Sequence, residues 1–179
     1  MKKVLKITVL MLLLLGCSSK LPVPENTALI DKKSLFNLSS LSIETSYNHI
    51  SGEPKLSLLL SDAAQKRAAN SIYFTKFKKG ILKLRILSAG IEYTQKRNGN
   101  FLYFFPSYDK GLSANIEYTI TVYSDRQEVL KMVSSKVKLN ASRQDAGSQK
   151  ELIDKTLDEF QKSIFKTSKE ELSAYLASH

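Results

Sequence analysis

The chain of 179 residues contains one cysteine, no tryptophan, two histidines, four prolines and seven glycines, and each scarcity closes off a class of chemistry. A single thiol, Cys17, rules out an internal disulfide and any cysteine-rich metal centre. His49 and His179 form no pair at helical spacing for a zinc site, and neither has a neighbour suited to a proton relay. The glycines are scattered singly, so neither a P-loop nor a dinucleotide fingerprint is present. No Gly-x-Ser-x-Gly elbow occurs, and Ser163-Ile164-Phe165-Lys166 is an isolated Ser-x-x-Lys match without supporting motifs. The expectation is a protein without metal or cofactor that is not an enzyme. Long apolar stretches are also few. The main one, from Ile7 to Leu15, is too short for a hydrocarbon core of about 30 Å, which takes roughly 20 residues of helix.

What is present begins at the N-terminus. Met1-Lys2-Lys3-Val4-Leu5-Lys6 supplies a positive start, the apolar run follows, and Gly16-Cys17-Ser18-Ser19 ends it. This order is that of a secretion leader rather than of folded core. Leu14-Leu15-Gly16-Cys17 resembles the bacterial lipobox, in which a cysteine after a small residue is lipidated and becomes the new N-terminus. The resemblance implies three acyl chains on Cys17, and since one chain gives only marginal membrane residence, three make the anchor permanent. Ser18 in place of an aspartate implies the outer membrane, periplasmic face, with the inner membrane as the alternative. The expected organisation is a signal peptide over residues 1–16, a lipidated cysteine and tether over 17–33, and a single domain over 34–179. If the tether is unstructured, its root-mean-square span is about 22 Å.

Removing the leader and its three lysines lowers the formal net charge from +10 to about +7 on 163 residues, enough chain for one core without disulfides. A lipidated envelope protein does not routinely meet nucleic acid, so its anionic partners are lipid headgroups, lipopolysaccharide or acidic protein surfaces. Lys76, Lys78, Lys79, Lys83, Arg85, Lys96 and Arg97 stand against one acid, Glu92, and form a candidate patch for an anionic partner. Alternate positions there are apolar, which equally describes a wet sheet face.

Along the domain, apolar residues from Leu35 to Tyr47 recur with a loose period of two, notably Leu41, Ile43 and, after Thr45, Tyr47, and predict a first strand. Pro54 suits the first turn of a helix running through Ala69, although Leu56, Leu58 and Leu60 also suit a short strand over 54–61. Leu82, Leu84 and Ile86 alternate with Lys83 and Arg85, and Ile91 and Tyr93 continue that buried pattern. Asn98-Gly99 predicts a hairpin turn into a strand over 101–105. Ile116, Tyr118, Ile120 and Val122 mark another strand, with a partner over 128–139. Ser148 with Glu151 predicts a helix start, and Ile153, Leu157, Phe160 and Ile164 share one face of that helix. Ser168 with Glu171 predicts a second, shorter helix. The fold class is α+β: an antiparallel meander of about four to six strands packed against a C-terminal amphipathic helix and one earlier helix.

The strand over 101–105 is apolar on both faces. Phe101, Tyr103, Phe104 and Phe105 are therefore candidates for an exposed contact surface, or for a strand covered on both sides. Taken together, the segments over 82–93, 114–139 and 149–176 resemble small outer-membrane lipoproteins of the YajG type. LptE-like lipopolysaccharide-assembly lipoproteins and the auxiliary lipoproteins of lipid-transport systems share a similar order of elements. What the resemblance implies is an envelope accessory protein with a protein partner, or a lipid- or lipopolysaccharide-binding component. Replacing Cys17 by Ala is expected to abolish incorporation of labelled palmitate in growing cells and to leave an uncleaved precursor.

Overall fold

The computed structural model describes residues 33–45, 52–75, 78–98 and 107–177, the side chains of 97, 98 and 107 excepted. The elements are β1 (Ser34–Phe36), β2 (Ser40–Thr45), α1 (Pro54–Ser71), β3 (Ile72–Phe74), β4 (Ile81–Asn98), β5 (Ser107–Tyr123), β6 (Val129–Ala141) and α2 (Ala146–Glu171), followed by a 3-10 turn over Ser173–Tyr175. A four-stranded sheet runs in the order β2-β4-β5-β6, and β1 and β3 make a separate parallel pair. Strands β4, β5 and β6 are antiparallel neighbours, as the expected meander has them. Strand β2 lies parallel to β4, so the sheet is mixed and α1 serves as the crossover between them. The expected first strand is broken in two at Asn37, Leu38 and Ser39, because Ser39 bonds the Gly80 carbonyl through its amide at 3.0 Å and its hydroxyl at 2.6 Å.

Both helices pack on one face of the sheet, which sets the buried pattern. Leu82, Leu84 and Ile86 of β4 face Val122, Ile120 and Tyr118 of β5, all buried. A bulge between Ile86 and Ser88 then shifts the phase by one residue, so that Ala89 and Ile91 turn to the same face. The face of α2 carrying Ile153, Leu157, Phe160 and Ile164 is buried against it. Phe160 meets Tyr118 edge to face, centroids 5.0 Å apart, and the Tyr118 hydroxyl is 2.8 Å from Ser163 Oγ, so a sunken phenol is satisfied without water.

Residues 54–61 are helix, Pro54 sitting in the first turn, which settles the open choice there. The Ser57 hydroxyl accepts the Ile91 amide at 2.9 Å, and the Glu53 amide donates to the Ile91 carbonyl at 2.7 Å, so the head of α1 caps β4 beyond the end of β2. Gly52 makes this approach possible: its φ is +79°, and a Cβ there would lie 2.2 Å from the Ile91 oxygen.

Two helix expectations change. The cap of α2 is Asp145, whose Oδ1 accepts the Ser148 amide at 2.9 Å, three residues before the expected start. Ser168 opens no second helix, because its hydroxyl bonds the Ile164 carbonyl inside α2 and the helix runs on to Glu171. The expected two-residue turn at Asn98-Gly99 is also replaced. Asn98 pairs with Ser107, so the connection spans 99–106 and β5 is one strand of 17 residues.

Truncating Phe160 to Ala is expected to cost about 3–5 kcal/mol in denaturant unfolding, and Tyr118→Phe about 1 kcal/mol through its lost hydroxyl bond.

Candidate docking surfaces

The candidate residues fall in several places. Cys17, Lys76, Phe101, Tyr103, Phe104 and Phe105 lie outside the described residues, and only the backbone of Arg97 is described. Lys78 and Lys79 are exposed just before β4 begins. Lys83 and Arg85 stand on the sheet face away from the helices, where both meet Glu44 of β2, at 2.5 and 2.9 Å. Their charge is thus spent on holding the parallel edge strand to β4. Lys96 is exposed near the opposite end of β4, roughly 43 Å from Lys83 along an extended strand at about 3.3 Å per residue.

The ladder shows where the sheet stops being layered. Strand β6 ends against β5 at Ala141↔Leu112, whereas β5 and β4 stay paired to Ser107↔Asn98. The last turn of the ladder is therefore a two-stranded ribbon projecting past β6. Tyr93 pairs with Leu112, and Tyr108 pairs with Arg97, which places both tyrosines on the face that carries the core lower down. Tyr93 stands in the last three-stranded row, opposite the fully buried Leu112, and Tyr108 lies beyond that row. Tyr93 is 53% exposed and Tyr108 51%, so Tyr93 does not continue the buried pattern as its spacing predicts. The ribbon leads directly into 99–106, the segment with the aromatic run. Sequence alternation marks the strands but not where a helix ceases to cover them; the excess of β5, 17 residues, over β6, 13 residues, is the signal that finds the ribbon.

A second surface is β6 itself, the far edge of the sheet, with Val129, Leu130 and Met132 more than half exposed. Its lysines are the usual guard against unwanted strand addition. Lys136 pairs with Glu117, and Lys131 lies 3.7 Å from Glu171. Between β6 and α2 runs an open groove of about 330 Å³ lined by Lys136, Lys138, Lys162, Lys166, Leu139 and Glu159. Lys162 is drawn to Glu159 at 2.6 Å, a contact that raises its pKa above the ordinary lysine value. Behind this groove the helix–sheet interface is filled by Tyr118, Ile120, Phe160 and Ile164, all fully buried. Between the helices, Arg67 of α1 reaches Gln161 Oε1 at 3.1 Å and Asp158 Oδ1 at 3.2 Å, joining α1 to α2.

Among the described residues no group of three or more His, Cys, Asp or Glu is placed to hold a metal ion, and no helix is long and apolar enough to cross a membrane.

No family model matches the chain, and no curated protein matches it. Solved structures do resemble it. A Xanthomonas campestris protein of the DUF330 family is 11% identical, with 83% of this chain and 91% of that one covered at a TM-score of 0.43. A neuraminyllactose-binding hemagglutinin homolog from Helicobacter pylori is 8% identical over 83% and 96%, TM-score 0.48. A minor lipoprotein from Acinetobacter baumannii is 15% identical over 79% and 97%, TM-score 0.38.

Glu44 makes the outer face titratable in a defined sense. Its hydrogen bonds to Lys83 and then Arg85 hold its pKa below the ordinary glutamate value. A lowered folded-state pKa means that this pairing stabilises the fold fully at neutral pH and is lost as pH falls through the acid range. An NMR titration is expected to place the Glu44 carboxyl below the ordinary glutamate value, and Lys83→Met with Arg85→Met to bring it back up towards that value.

Proposed function

We propose that the chain is a lipid-anchored, non-enzymatic accessory protein of the bacterial envelope, held at Cys17 on the periplasmic face of the outer membrane, which docks on a protein of an envelope complex through the β4–β5 ribbon. The observation that carries this reading is the ribbon: it continues past the end of β6 and presents Tyr93 at its base and Tyr108 near its tip, both in the open. Tyrosine combines a large apolar ring with a polar tip, and is enriched where proteins meet proteins. Between the two tyrosines the same face carries Gln95 paired with Lys110, both exposed, so the surface offered mixes aromatic and polar groups as docking surfaces do. The lipobox at Cys17 supplies the address, and the scarcity of histidine and the lack of a nucleophile motif argue against chemistry of its own.

A second reading, binding of lipid or lipopolysaccharide, is favoured by the lysine-lined groove between β6 and α2. Against it, Lys136 and Lys162 of that groove are already paired with Glu117 and Glu159, and the interior beside it is filled.

A photo-crosslinking residue at Tyr108 in intact cells separates the two. The expected result is a discrete adduct with one envelope protein, absent when the same residue replaces Leu58 on α1 and absent with Cys17→Ala. Adducts from Lys138 with phospholipid or lipopolysaccharide, and none from Tyr108, would favour the carrier reading instead.

A further inference from the structure

The ends of the domain differ in chemistry. Across the sheet, Ser40, Ile81, Tyr123 and Val129 form one transverse row, so the beginnings of β2, β4 and β6 lie at one end, opposite the ribbon. At this same end β1 pairs with β3, Phe36 bridges to Leu176, and the Ala177 amide bonds the Leu35 carbonyl at 2.9 Å. The chain enters here, at Lys33. From it project Tyr73, 41% exposed, and Phe74, 40% exposed, the two residues that end β3. Lys33 holds its ammonium 4.8 Å from the Tyr73 ring centre, and with Lys169 lines a hollow of about 220 Å³ whose other walls include Leu35, Phe165 and Leu176. Lys78 and Lys79 follow within a few residues of Phe74, both exposed.

We infer that this end rests on an anionic phospholipid surface, with Tyr73 and Phe74 at headgroup depth and Lys33, Lys78, Lys79 and Lys169 among the phosphates. The inference rests on the anchor proposed at Cys17, and two observations point to a bilayer as the occupant. First, the chain outside the structure ends at this face: only 15 residues separate Cys17 from Lys33, a span of about 22 Å if unstructured, which keeps this end nearest the membrane. Second, aromatic rings flanked by lysines match the interfacial zone of an anionic bilayer in both polarity and charge. Exposed Val129, in the same transverse row, and Leu130 after it open β6 and extend the apolar component. The acids at this end are partly engaged, Glu171 with Lys131 and Glu170 with Lys166. Asp125 and Glu128 in the β5–β6 turn are exposed beside Arg126.

The absence of tryptophan makes a direct test simple. The full lipidated chain carrying Phe74→Trp is reconstituted into phosphatidylethanolamine–phosphatidylglycerol vesicles with brominated acyl chains. The expected result is a blue-shifted emission quenched at least two-fold relative to unbrominated vesicles, with Tyr73→Trp behaving alike and Leu58→Trp, near the other end of α1, unquenched. Protein that floats with the vesicles while the tryptophan at 73 or 74 stays unquenched, or while that at 58 is quenched equally, overturns the inference and leaves the anchor intact. Protein that does not float overturns the anchor reading and this inference with it.

Discussion

The structure depends on keeping a single sheet face apolar over a strand too long to stay in phase by itself. β4 runs for 18 residues, and its helix-facing positions are even-numbered up to Ile86 and odd-numbered from Ala89. The bulge between Ile86 and Ser88 absorbs the change. Were Leu87 kept in regular alternation instead of bulged, Ile91 would turn to the outer face, and the seat of α1, which is fixed through Ser57 and Glu53 to Ile91, would be lost with it. A one-residue slip moves a whole strand's side chains to the wrong face, so the bulge is a register device for both helices. The outer face then needs only polar residues, and it has them in Glu44, Lys83, Arg85, Glu117 and Lys136.

How much of this was legible in the sequence depends on whether a feature leaves a local trace. The alternation of Leu82, Leu84 and Ile86, and the helical recurrence of Ile153, Leu157, Phe160 and Ile164, report burial directly, and those elements appear where they are expected. The parallel placement of β2 leaves no such trace, because periodicity records which face a strand shows and not which neighbour it takes. Capping motifs misled in both cases for one reason. Serine bonds whichever backbone group is near, so Ser148 serves as a partner of Asp145, and Ser168 folds back onto Ile164.

The candidate surfaces were legible to a lesser degree. The lysines are plain in the sequence, but the partner that occupies two of them, Glu44, is 39 residues before Lys83 and becomes a neighbour only through the crossover. Tyr93 reads as core because its spacing continues that of Ile91. Its exposure, 53% opposite a fully buried Leu112, depends on what other segments pack over each strand, which its own spacing does not record.

The bridge from Phe36 to Leu176 has a consequence for how the domain is completed. The residues it joins are 140 positions apart, nearly the whole length of the folded chain. Contacts of such sequence separation carry the largest loop-closure entropy and tend to form late. The end at which β1 enters is thus a clasp, closed only when the last residues of the chain have arrived, and a truncation of a few C-terminal residues would leave the opening strand held by β3 alone while the three long antiparallel strands and α2 still had their partners.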